Sequence, residues 1–264
     1  NVKQIGLAVH NYHSAYKQLP THGTGTDGAG TSGSPSGIGL AQTAADAPRA
    51  TNILEVSWLV GLTPFIEQQA LWEQISNPYS INGTAAVIQA MGPTPRRSLT
   101  HHNTVAYDPW VTDVPGFRCP SDPGVGLPAS GRTNYGACLG DSVFEQNGNL
   151  DDRGNDKGRA EGVRAGCRGF FVARGKARFR DILDGLSNTI MAGELATDLG
   201  DLDIRTTPAF PGTAYRNLLY LAGGNTACDG MIDPQRPQFW GNTWVDATAN
   251  GSVGPQGEQR RGFK

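Results

Sequence analysis

The sequence predicts an α+β fold, and three observations lead there. Apolar residues recur at helical spacing through the first twenty positions, half-apolar strand-like runs follow residue 100, and glycine (36) and proline (17) supply many turns. A helix with one apolar face needs a surface to cover it, and half-buried strands can supply that surface. The 264 residues are enough to bury a substantial core, and without internal repeats they read as a single domain over 1–264. Charged residues are only 17% of the chain and the net charge is -2, so nothing draws it globally toward nucleic acid or an anionic membrane. Many glycines and few charges suit a loop-rich extracellular domain.

In "NVKQIGLAVHNYHSAYKQLP" the residues Val2, Ile5, Val9, Tyr12, Tyr16 and Leu19 step by three or four, with Ala8 and Ala15 widening the stripe. This predicts an amphipathic helix over residues 1–19, ended by Pro20, with Ile5, Val9, Tyr12 and Tyr16 as its packing face. The pattern is under way at Val2 without a leading cap sequence, which reads as a start in mid-helix. Residues 21–50 hold Gly, Ser, Thr and Ala with almost no large apolar group, so they read as a long surface loop.

The stretch "SWLVGLTPFIEQQALWEQISNP" predicts a second helical segment, with Trp58, Leu62, Phe65, Ile66, Gln69 and Trp72 to one side and Ser57 as its cap. Pro64 should kink it or open a new first turn. Both tryptophans read as core. Residues 91–116 are rich in Pro, Thr and Asp, and short strands are expected at "NTVAYDPWV", "GFRC" and "NYGACLG". "RGFFVARGKARFRDI" reads as a hairpin turning at Arg174-Gly175, and "DGLSNTIMAGE" as a turn at Asp184-Gly185 followed by a strand or short helix from Ile190. The last sixty residues mix short apolar runs with Gly and Pro and read as further strands and connections.

Cys119, Cys138, Cys167 and Cys228 are an even set without a C-x-x-C pair or a His at zinc-finger spacing. Two disulfides in an oxidising compartment are expected, with buried thiols as the alternative and three pairings open. No window approaches the roughly 20 apolar residues of a membrane span.

Chemistry-bearing motifs are sparse. His10 and His13 lie three apart on the first helix, but a metal site needs a third ligand and a second shell, so they read as solvated or capping groups. No H-E-x-x-H, G-x-S-x-G, Walker-type or G-x-G-x-x-G stretch stands in the context it requires, and an enzyme is not expected. "DDRGNDKGRAEG" gathers Asp151, Asp152, Asn155, Asp156 and Glu161, hard oxygen ligands of the kind calcium takes. The positions do not match an EF-hand loop, and the preferred reading is a solvated loop without cofactor. Arg174, Lys176, Arg178 and Arg180 form a cationic stripe. On a strand Lys176, Arg178 and Arg180 share one face while Ala177 and Phe179 face the core. That stripe is either a soluble outer face or a surface for an anionic partner. Trp240 and Trp244 in "FWGNTWV" are candidates for stacking on sugar faces, with core packing as the alternative.

Taken in order, "NVKQIGLAVHNYHSAYKQLP", "SWLVGLTPFIEQQALWEQ", "FRCPSDPG", "TNYGACLGD", "GFFVARGKARFRDILDGLSNTIMAGE" and "RRGFK" resemble successive blocks of a large bacterial family of prepilin-like proteins of unassigned function. The resemblance covers most of the chain outside 21–50. It implies a pilin-like fold, in which residues 1–19 are the amphipathic C-terminal half of a longer stalk helix laid across an antiparallel sheet, with large loop-rich insertions. The apolar half of that helix would precede Asn1, anchor a precursor in the membrane and later pack in an assembly. The family's C-terminal motif of His, nine residues, then Asp-Gly is not matched, because Asp27-Gly28, Asp184-Gly185 and Asp229-Gly230 all lack the upstream His.

The expected function is therefore structural: the globular part of an exported, non-enzymatic pseudopilin or pilin-like subunit, at the cell surface, in the periplasm or outside the cell. Its partners would be copies of itself, other pilin-like subunits or a secretion machinery of the type II or type IV pilus kind. An extracellular binding module for a glycan or small solute is the alternative.

Overall fold

The computed structural model describes residues 1–27, 50–80, 87–95, 107–124, 131–140, 148–151 and 153–197. Helix α1 spans Val2–Tyr16, shorter than the 1–19 that the apolar spacing predicts, and buries Ile5, Ala8 and Val9. It stops because Lys17 adopts the left-handed conformation, where its N–H donates to the His13 carbonyl and its Nζ donates to the Ser14 carbonyl, 2.8 Å in each case. Leu19 then donates its N–H to the Ala177 carbonyl at 2.8 Å, which fastens the helix exit to the 176–178 segment.

The second helical segment is two elements. A 3-10 helix, Val60–Ile66, ends at left-handed Glu67, and α2 follows over Gln69–Ser76. Ser57 prepares the entry: its hydroxyl accepts the Leu59 N–H at 3.3 Å and its carbonyl the Val60 N–H at 3.2 Å. Pro64 has no N–H for the Val60 carbonyl. The Thr63 hydroxyl takes that place, donating to Val60 O at 2.8 Å while fully buried. The proline thus shapes a tight turn instead of a kinked α-helix.

Strands β1 (Tyr79–Ser80) and β2 (Val87–Ile88) pair antiparallel. Strand β3 (Tyr135–Ala137) pairs antiparallel with β4 (Ala192–Glu194), with Gly136 opposite Gly193. Backbone bonds from Cys138 to Met191 (3.0 Å) and from Leu195 to Asn134 (2.7 Å) lengthen this second ladder. The run at "NYGACLG" and the segment after Ile190 are therefore strands, and Asp184-Gly185 is a turn, with Gly185 at positive φ.

Two expected strands and the expected hairpin form otherwise. In "NTVAYDPWV", where residues 103–106 lie outside the described ones, residues Asp108–Val111 are a short helix, α3, because Pro109 favours a first helical turn. "GFRC" begins as a 3-10 turn over Pro115–Phe117 for the same reason. The hairpin at 168–182 is a turn closed by Gly175 N–H to Val172 O at 3.2 Å, with Arg174 at positive φ and one parallel bridge between Ala173 and His22. Beyond it, the Asp181 carboxylate accepts the Arg178 N–H at 2.8 Å and nucleates a 3-10 turn over Phe179–Asp181. A side-chain cap offers this backbone an alternative to the sheet. Helix α4, Ala160–Gly166, precedes that region.

One apolar cluster runs from Ile5 to Phe171, with Trp58, Trp110, Tyr107, Phe117 and Phe171 among its largest fully buried members. Trp58 lies 4.7 Å from Phe171 and Tyr107 lies 5.0 Å from Trp110, centroid to centroid. Gly92, at φ 69°, passes so close that a Cβ there would stand 2.8 Å from both Trp110 and Tyr107 ring atoms.

The fold is thus α+β. Among the described residues the principal partner of α1 is the 3-10 helix Val60–Ile66, and both sheets have two strands. Among the described residues that apolar face packs chiefly on another helical element, where the family resemblance implies a β-layer. Of the expected packing face, Ile5 and Val9 are buried, Tyr12 is half-buried and Tyr16 is 53% exposed.

Candidate functional site

Where α1 runs out above the 3-10 helix, Tyr12 and Tyr16 leave its stripe only partly covered. Being one turn apart they meet each other, ring centroids 4.6 Å apart, and both present to Phe65, at 5.7 and 6.1 Å in edge-on arrangements. Gly61 makes this possible, since a Cβ there would meet the Tyr12 ring at 3.2 Å. Burial pushes the Tyr12 phenol up from its usual value, with Tyr16 adding to the shift and a hydrogen bond with Gln18 opposing it.

Facing these rings is a cleft of about 220 Å³, whose walls include Tyr12, Tyr16 and Trp72 as well as the hydroxyl residues Thr21, Thr24 and Ser57. The Thr21 and Thr24 hydroxyls are 2.7 Å apart and bonded to each other. None of the described lining residues carries a charge. The cleft can receive a small neutral body with one flat apolar face and a few hydroxyls, and it offers neither a nucleophile–base pair nor a charged anchor.

Sequence reasoning placed Tyr12 and Tyr16 on the helix packing face and Trp72 in the core. Their spacing was visible, but their half-exposure was not, because it depends on how far the 3-10 helix extends along α1.

The cationic residues separate. Arg174 is half-buried, its guanidinium donating to the Leu150 carbonyl. Lys176, Arg178 and Arg180 are exposed while Ala177 and Phe179 are half-buried, so the predicted alternation of faces survives without a paired strand. Arg180 lies 3.7 Å from Asp181. His10 and His13 both pack on the Phe179 ring, at 4.8 and 4.4 Å.

The acidic loop is occupied with itself. Asp151 accepts the Asn155 side chain at 3.0 Å and the backbone N–H groups of Asn155 and Arg153 at 2.8 Å; these bonds, the Asn155 side chain foremost, hold its carboxyl below the usual range. Asp156 accepts from Asn149 at 2.7 Å and Gly158 at 2.6 Å. Glu161 lies in the first turn of α4, and Asp152 lies outside the described residues. Among the described residues no group of three or more His, Cys, Asp or Glu could hold a metal ion.

Cys119 and Cys138 are half-buried thiols and Cys167 is buried, and no disulfide joins any two of the three. Two bridges would require at least one such pair, so that arrangement is not formed here. Cys228, Trp240 and Trp244 lie outside the described residues. Among the described residues no helix is long and apolar enough to cross a membrane.

Comparison with known families finds one model, described as "Protein of unknown function (DUF1559)", that matches residues 1–263. Neither the curated proteins nor the solved structures contain a match.

Proposed function

Because the chain belongs to the DUF1559 family of proteins of unknown function, membership brings no activity with it, and we propose a structural one: the globular part of an exported, non-enzymatic, pilin-like subunit. Helix α1 carries this reading. Its face through Ile5, Ala8 and Val9 is sealed against the body, while Val2 and Leu7 on its N-terminal half stand 56% and 62% exposed. With Val2 exposed at the N-terminal end of that same stripe and Leu7 exposed across the helix from it, the N-terminal half of α1 suits the lower end of a stalk whose upper part packs against neighbouring subunits. The partners would be further copies, other pilin-like subunits or a secretion machinery, and the place would be the cell surface, the periplasm or the outside of the cell.

The test compares residues 1–264 with the complete gene product, including whatever is encoded before Asn1, by size-exclusion chromatography and electron microscopy. Large assemblies of the complete product and a monomeric shorter chain are expected. A complete product that stays soluble and monomeric overturns the proposal.

A second reading, an extracellular binding module for a glycan or small solute, is favoured by one observation, the aromatic cleft beside Tyr16 and Trp72. Binding of any saccharide on a glycan array supports it, and a silent array rejects it.

A further inference from the structure

From the walls of the cleft between α1 and the 3-10 helix Val60–Ile66, we infer that it is a binding site for a single neutral pyranose unit, stacked on Tyr16 and Trp72. The inference rests on the binding-module reading and is independent of the pilin-like one.

Charge comes first. The described lining residues are all neutral, so an anionic or cationic ligand would give up its hydration without a counter-charge to receive it. Shape comes second. At about 220 Å³ the space lies below the roughly 300–1,000 Å³ of sites for drug-sized ligands, which suits one ring and leaves the remainder of a chain in solvent.

Chemistry comes third. A pyranose has an apolar C–H face and a rim of hydroxyls, and the cleft offers both complements. Tyr16 is 53% exposed and Trp72 half-buried, so each keeps ring surface available. Aromatic rings attract the slightly positive C–H edge of a ligand, as they attract the edge of another ring. The Thr21–Thr24 pair uses one of its two hydroxyl protons between its own members, leaving one donor and several lone pairs for a sugar hydroxyl. An alkyl chain would leave the pair's remaining donor unsatisfied, at a cost in free energy.

Two features indicate that the rings are held in place in advance. Tyr12 is clamped between Gly61, Tyr16 and Phe65, and Tyr16 takes its orientation from Tyr12 and Phe65. A ring fixed before binding loses little entropy when the ligand arrives.

The test titrates the full chain with methyl glucoside and with N-acetylglucosamine, using glucuronate as the anionic control and octanol as the apolar one, followed by calorimetry and saturation-transfer NMR. Saturable binding of a neutral sugar is expected, weaker or undetectable for glucuronate and octanol. Tyr16→Ala and Trp72→Ala should each weaken it about tenfold, whereas Tyr16→Phe and Trp72→Phe, which keep a ring face, should stay within about threefold. Circular dichroism and thermal melts of the four variants show whether each is folded. The Tyr16 pair keeps the test usable if Trp72→Ala unfolds.

Sugar binding that ignores both ring deletions overturns this site while leaving the binding-module reading intact. Silence toward both sugars overturns the site, and silence on a glycan array as well removes that reading. Octanol binding without sugar binding also overturns it.

Discussion

Asp122 and Thr197 are joined twice across 75 residues of sequence: the Thr197 N–H donates to Oδ2 at 2.8 Å and its hydroxyl to Oδ1 at 2.5 Å. The same carboxylate accepts the Gly124 N–H at 2.8 Å and the Asn134 side chain at 2.7 Å. Asn134 in turn accepts the Cys119 N–H at 2.8 Å and donates to the Leu195 carbonyl at 2.9 Å. One carboxylate thus ties the loop after the Pro115 turn to the outer ends of β3 and β4.

This staple predicts an acid limb in stability. Burial alone would raise the Asp122 carboxyl, but the donations from Thr197, Gly124 and Asn134 together outweigh it and hold the group below its ordinary value. A lowered native pKa contributes stability that is complete above the unfolded value of about 3.9 and is lost as pH falls through the native one. Urea melts from neutral pH downward should show that loss below about pH 4, alongside a contribution of the same sign from Asp151. Asp122→Asn should cost about 1–3 kcal/mol at neutral pH and flatten the acid limb. An unchanged limb in the variant would place the titrating group elsewhere.

The docking of α1 predicts a sharp contrast along one helix. Ile5→Ala empties a site that is 2% exposed and should destabilise the protein by about 2–4 kcal/mol. Leu7→Ala, at a position 62% exposed, should stay within about 0.5 kcal/mol. Equal costs in chemical denaturation would mean that the two residues are not on opposite sides of the contact.

Gly92 predicts a backbone effect. At φ 69°, and with Trp110 and Tyr107 in the way, Gly92→Ala should cost at least about 2 kcal/mol. Gly193→Ala, in β4 with nothing within 4 Å of the added atom, should be nearly neutral. Thermal melts of the two variants side by side provide the check.

The thiols predict a labelling pattern. Cys119 and Cys138 are not bridged to each other or to Cys167, so alkylation in denaturant without reductant, followed by peptide mass mapping, should modify both Cys119 and Cys138. Protection of either one until reductant is added would show that it is in a disulfide, and would restore the expectation drawn from the even cysteine count.

Much of the fold was legible in local pattern. The stripe from Ile5 to Val9, the strand at Tyr135 and the turn at Asp184-Gly185 each follow from residues a few positions apart, whereas the helix stops at left-handed Lys17, short of Pro20. The short strands failed where a local polar or proline effect competed with alternation. Pro109 and Pro115 favoured helical turns, and the Asp181 side chain captured the Arg178 N–H before any partner strand could. The candidate cleft was only half legible. Tyr12 and Tyr16 announced themselves as neighbours, but Trp72 reaches them through the 3-10 helix and α2, a route that no spacing encodes.

By itself the sequence determined the α+β class, an amphipathic helix through Ile5, Val9 and Tyr12 and the neutrality of the residues that later meet in the cleft, because periodicity and side-chain chemistry are properties of the chain alone. Only the tertiary structure decided that a 3-10 helix seals α1, that Tyr16 stays half in water and that Asp122 holds Thr197. Those outcomes depend on which distant surfaces meet, and on the balance between burying an apolar face and satisfying the polar groups beside it.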